Sequence, residues 1–132
     1  MQKRILIADI PESDPRLSRI LNGHDLVVVR TLGEAQRAAA REPFDLVLIG
    51  VHFDDSRMFD LLRHLQASAQ HAGRPIACVR GQHFLSPAIT IEGLEIAAKT
   101  LGCALFLDLT WYADDAQGNG AVRSLLDALL SD

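Results

Sequence analysis

Four short stretches hold the residues whose types could do chemistry: Asp9 in IADIPESDP, His52, Asp54 and Asp55 in GVHFDD, Arg80 and His83 in VRGQH, and Asp108 to Tyr112 in DLTWY. Asp9, His52, Asp54 and His83 offer nitrogen and oxygen donors for a divalent cation. No motif such as His-x-x-x-His places them on one element, so a metal would have to be gathered from three separate loops. Solvated loop residues are the simpler reading, and no metal or other cofactor is expected. The IADIPESDP stretch contains no glycine, which removes the backbone cradle that nucleotide phosphates need. Trp111 and Tyr112 are the only tryptophan and tyrosine of the chain and are adjacent. Neighbours leaving a strand point apart, so at least one is expected at the surface, where both types favour protein contacts.

The elements that must position these residues follow from the hydrophobic period. Nearly continuous apolar runs at 4–8, 26–30, 45–51, 75–79 and 104–107 predict five strands covered on both faces, the pattern of a parallel sheet. Between them the period becomes helical: Leu17, Ile20 and Leu21; Ala35, Ala38 and Ala39; Met58, Leu61, Leu62 and Leu65; Ile91, Leu94, Ala98 and Leu101; Val122, Leu125, Leu126 and Leu129. Punctuation agrees, with Ser13 before Asp14-Pro15 and Thr31 as caps, and Gly23, Gly73 and Gly102 as stops. Five βα units with right-handed crossovers predict a flavodoxin-like three-layer α/β/α sandwich, its five-stranded parallel sheet in the order 2-1-3-4-5 with five helices. All four chemical stretches then lie at the carboxyl ends of strands, where such sheets bind ligands. The stretch 81–90 is long for a βα loop.

Composition narrows the function classes. With 132 residues, 48% hydrophobic and 23% charged, a single domain over 1–132 is expected. The net charge of −4 argues against nucleic acid or an anionic membrane as the main partner. No apolar run is long enough to span a bilayer, and the amino-terminal residues do not form a secretion signal, so a cytoplasmic location is expected. Cys78 and Cys103 sit in apolar runs without metal or disulfide spacing and are expected as buried free thiols.

At KRILIAD (3–9) and PFDLVLIGVHFDDSRMFDLL (43–62) the sequence resembles a response-regulator receiver domain, and the order of the five units extends the resemblance along the whole chain. The family typically has an acidic pair after strand 1, a phospho-accepting Asp ending strand 3, a Thr or Ser after strand 4 and a Lys after strand 5. Clustered carboxylates hold Mg²⁺, the metal and the lysine neutralise the phosphoryl oxygens, and the hydroxyl bonds the new phosphate. Laid on this chain those positions fall on Asp9 and Ile10, Gly50, Arg80 and Leu109. The only lysines are Lys3 and Lys99, opening strand 1 and inside the fourth helix, so neither replaces the missing cation. Phe106 falls on the family's aromatic switch position, and Leu109-Thr110-Trp111 replaces its Lys-Pro-aromatic run.

The resemblance therefore implies a degenerate pseudo-receiver without phosphoryl chemistry: no enzyme, but an interaction module for a protein partner in signal transduction. Its expected docking side is helix 4, strand 5 and helix 5, with Phe84, Phe106, Trp111 and Tyr112, and a homodimer through the same side is a further expectation. The fifth helix runs to the end of the chain and leaves no residues here for an output domain. The alternative is an atypical receiver phosphorylated at Asp54 or Asp55, or a small binder of metal or nucleotide. Two local expectations complete the reading. Arg80 reaches Asp9 across the place left by Gly50, giving a locked ion pair, and His64 and His71 are solvated.

Overall fold

The computed structural model describes residues 2–82 and 90–131. Five parallel strands, β1 (Arg4–Ala8), β2 (Asp25–Val29), β3 (Leu46–Gly50), β4 (Ile76–Arg80) and β5 (Leu105–Asp108), form one sheet in the order β2-β1-β3-β4-β5. Five helices alternate with them: α1 (Asp14–Ile20), α2 (Leu32–Arg41), α3 (Met58–Ala67), α4 (Ile91–Thr100) and α5 (Ala116–Leu130). The expected order and fold are those observed. Three short segments were not legible: 3-10 turns at Pro11–Ser13 and Leu109–Trp111, and a sixth, four-residue helical segment at Phe53–Ser56.

Alternation along each strand explains the apolar runs. Leu6, Ala8, Val47, Ile49, Ile76, Cys78 and Phe106 face one layer, with Ala35, Ala38 and Ala39 of α2, Leu61, Leu62 and Leu65 of α3, and Leu94 and Ala98 of α4. Ile5, Ile7, Leu46, Leu48, Ala77, Val79 and Leu107 face the other, with Leu17 and Ile20 of α1 and Val122 and Leu126 of α5. Both faces are covered, so neither has a polar side to show. Each fully buried leucine or isoleucine contributes about 1.5–3 kcal/mol. Cys78 and Cys103 are buried free thiols, as expected.

The helix ends combine predicted and unpredicted devices. Thr31 caps α2 through a reciprocal box with Glu34. The stops at Gly23, Gly73 and Gly102 have φ of 95, 86 and 102°. Ser13 precedes α1 but makes no side-chain capping bond, because the preceding 3-10 turn already carries the chain into helical geometry. In α5 a Cβ on Gly118 would lie 1.9 Å from the Ala113 carbonyl oxygen, so the close approach of the β5–α5 connection requires glycine there. Among the described residues, no helix is long and apolar enough to cross a membrane.

Candidate functional site

Strand register decides which side chains meet at the carboxyl end of the sheet. Ala8 pairs with Ile49 and Arg80 with Asp108, which sets Asp9 beside Gly50 and places Arg80 next to β5. The order β1-β3-β4 puts a whole strand between Asp9 and Arg80.

Asp9 fills the place where the side chain of residue 50 would stand. A Cβ built on Gly50 falls 1.9 Å from Asp9 Oδ1, 2.1 Å from its Cγ and 2.5 Å from Oδ2. The glycine is thus an accommodation: any side chain at 50 requires the carboxylate to move. Asp9 is 3% exposed, and its Oδ1 accepts the Ile10 amide at 2.8 Å while Oδ2 has no hydrogen-bond partner. Burial pushes this carboxyl up to about 6. The Ile10 amide, the neighbouring Ser13 hydroxyl and the charge of Arg30 hold it down, and Asp14 adds to the rise. The Ser13 hydroxyl stands close without a well-aligned hydrogen bond. Arg30 makes no ion pair with this carboxylate; its Nη1 donates to the Asp9 backbone carbonyl at 2.8 Å and its Nη2 to the carboxylate of Asp14.

Arg80 does not meet Asp9, which corrects the expected lock. Its Nη1 donates to Asp108 Oδ2 at 2.9 Å and to Thr110 Oγ1 at 3.0 Å, with the two charged side chains only 11% and 6% exposed. Asp108 also accepts the Thr110 amide at 3.0 Å and so caps the 3-10 turn Leu109–Trp111. The place left by Gly50, which Arg80 was expected to reach across, holds the Asp9 carboxylate instead.

Leu109, where the resemblance expects a lysine, sends its side chain into the core. Its side chain is 2% exposed within the α1–α5 layer. Arg16 of α1 fixes this backbone: Nη1 donates to the Leu109 carbonyl at 2.8 Å, Nη2 to those of Tyr112 at 2.8 Å and Ala113 at 3.2 Å, and Nε to Asn119 Oδ1 at 2.9 Å. Sequence reasoning missed Arg16, whose only signal is a basic residue on the helix that packs beside the β5–α5 connection. A cleft of about 170 Å³ lies beside Arg16, lined by Glu12, Ser13, Gly81, Gln82, Leu109 and Asp114 with it.

The Asp54 and Asp55 segment is more ordered than a solvated loop. Asp54, Asp55 and Ser56 have φ of 44, 56 and 65°, an uncommon run for residues with a Cβ. This left-handed turn carries Asp54 Oδ2 to the Leu32 amide at 2.7 Å, where it binds a first-turn donor of α2. Asp55 is exposed and His52 half-buried. His83 and Phe84 lie outside the described residues. Among the described residues no group of three or more His, Cys, Asp or Glu is placed to hold a metal ion. The magnesium site that the fold implies does not fit this chain: its acidic positions hold Asp9, Ile10 and Gly50, and the single carboxylate is turned into the glycine's space.

Around the site, Trp111 is 81% exposed, Phe106 is buried, and Tyr112 packs against the α1–α5 layer. His71 corrects another expectation. It is 1% exposed, stacks on Phe44 with ring centroids 6.1 Å apart, and accepts the Phe44 amide at Nε2. Burial holds its imidazole below the ordinary range.

No family model and no curated protein matches the sequence. Solved structures that it resembles include response regulators and receiver domains. The phosphorylated cyanobacterial phytochrome response regulator RcpA is 17% identical, with 99% of this chain and 96% of that chain covered and a TM-score of 0.76. A response regulator from Thermotoga maritima is 16% identical over the whole of both chains, with a TM-score of 0.74. The receiver domain of sensor histidine kinase PA1611 from Pseudomonas aeruginosa, with magnesium coordinated in its active-site cleft, is 17% identical over the whole of both chains, with a TM-score of 0.73. At these identities the likeness establishes the receiver fold.

Proposed function

We propose that this chain is a receiver-fold module that has lost phosphoryl acceptance and works by docking to a protein partner in signal transduction, without catalysis of its own. The observation that carries the reading is the Asp9 carboxylate inside the volume that an acceptor side chain at position 50 would need. Phosphoryl transfer to such a fold requires a nucleophile at that point and cations around it. Here the nucleophile's position is glycine, the lysine's position is a core leucine, and the cation Arg80 is spent on Asp108. Asp54, the alternative acceptor, already serves the amino end of α2, so a phosphoryl group on it would remove a hydrogen bond that the fold uses.

Docking through the side formed by α4, β5 and α5 is supported by the surface. Of the four large hydrophobic side chains exposed among the described residues, Ile96, Trp111 and Leu125 come from α4, the β5–α5 connection and α5; Val28 is the fourth. With no trigger to rearrange it, this side stays in one state. A cytoplasmic setting belongs to the same proposal.

The test is intact mass spectrometry after incubation with acetyl phosphate and Mg²⁺, with a phosphorylatable receiver as the positive control. The expected result is no phosphoryl adduct on the wild-type chain. An adduct that disappears in Asp54→Asn or Asp55→Asn would overturn the reading in favour of an atypical acceptor.

A further inference from the structure

We infer that the partner segment received at the β5 edge is cationic, laying an arginine or lysine against the exposed face of Trp111 between the carboxylates of Glu95 and Asp115. This rests on the docking reading above and adds the partner's charge to it.

Trp111 stands between two clefts. One, of about 160 Å³, is lined by Ile91, Glu95, Phe106, Asp108 and Tyr112 together with Trp111. The other, of about 290 Å³, lies towards α5, with Tyr112, Asp115, Gln117, Gly118 and Ala121. Each sets the indole beside a carboxylate, Glu95 in the first and Asp115 in the second, while Asp108 in the first is already held by Arg80. Asp115 spends one oxygen on the Gly118 amide as the cap of α5. Glu92 adds a third carboxylate, exposed on α4.

The cations beside these carboxylates are already paired: Lys99 of α4 is bound to Glu95 at 2.7 Å, and Arg80 of β4 to Asp108 at 2.9 Å. The stretch 83–89, HFLSPAI, contributes no Lys, Arg, Asp or Glu to the balance. A planar guanidinium fits an exposed indole flanked by carboxylates on both counts, since the ring face is the negative end of its quadrupole and the rim supplies countercharge. A second copy of this chain fits poorly. It would oppose one acidic rim to another, with the cations beside each rim already committed to carboxylates.

The test uses the full chain and two fluorescein-labelled amphipathic peptides of identical leucine and alanine content, one carrying four arginines and the other four glutamates. Fluorescence anisotropy should show the arginine peptide binding at least about tenfold more tightly, with affinity falling as salt rises. Trp111→Ala and Glu95→Gln should each weaken it about fivefold or more while the circular-dichroism spectrum shows the fold intact. Equal binding of the two peptides, no binding of the arginine peptide, or a wild-type dimer in sedimentation that Trp111→Ala dissociates would overturn the inference. Failure here with no phosphoryl adduct removes the partner's charge and leaves the docking reading standing. An adduct removes the reading itself.

Discussion

Asp9 follows strand β1 and Asp108 ends strand β5; they are 3% and 8% exposed and have opposite surroundings. Asp108 is met by the Arg80 guanidinium and by the amide and hydroxyl of Thr110. Asp9 has one backbone amide on Oδ1, an orphaned Oδ2 and a carboxyl pushed up to about 6. The difference is one of neighbours, not depth: β5 lies beside the strand that ends in arginine, while β1 lies beside the strand that ends in glycine. One carboxylate has become a structural clasp. The other is a buried ionisable group without a facing cation on its carboxylate.

Breaking the clasp gives the largest expected effect. Arg80→Ala leaves Asp108 buried and unpaired, and should cost about 3–5 kcal/mol in urea denaturation. Replacing both partners, as Arg80→Met with Asp108→Leu, should recover most of that loss. A cost below about 1 kcal/mol for the single variant would show that the pair is solvated and the contrast with Asp9 is false.

The same manipulation at Asp9 should act in the other direction. Its carboxyl rises from 3.8 to about 6 on folding, so the folded state binds more protons than the unfolded one between those values. Stability is therefore lost as pH rises from about 4 to 6, and the deficit stays constant above that. Asp9→Asn should be more stable than wild type by about 3 kcal/mol at pH 7, with the difference vanishing below about pH 4. His71, whose depressed imidazole makes acidification unfavourable, titrates in both proteins, so the difference between them isolates Asp9. No gain, or a loss, at pH 7 would mean that Asp9 has a charge partner.

The smallest effect is expected at Trp111, which sits outside both layers. Trp111→Ala should change stability by less than about 0.5 kcal/mol. A larger loss would make the indole part of the fold and remove it from the docking side.

The strands, the order of the sheet and the helical faces were legible because a chain buried on both sides must show apolar runs and 3.6-residue stripes. The site was legible only by position. Asp9, Gly50, Arg80 and Leu109 do gather at one end of the sheet, but the expected Arg80–Asp9 pair overlooked the order 2-1-3-4-5, which interposes β3 and makes Asp108 the arginine's neighbour. The left-handed turn at Asp54–Ser56 had only a weak local signal, since aspartate tolerates positive φ but none of its residues is glycine or asparagine. His71 lay beyond the helical period, and only the fold brings it against Phe44.

The central claim, that Asp9 occupies the acceptor's volume, is most directly tested by a double-mutant cycle of Gly50→Ala and Asp9→Ala, read as unfolding free energies. Gly50→Ala alone forces the carboxylate out of place and should cost about 1–3 kcal/mol. In the Asp9→Ala background the new methyl enters vacated space, and most of that cost should disappear, giving a coupling energy of about 1 kcal/mol or more. Additive effects, with Gly50→Ala equally costly whether or not Asp9 is present, would contradict the account.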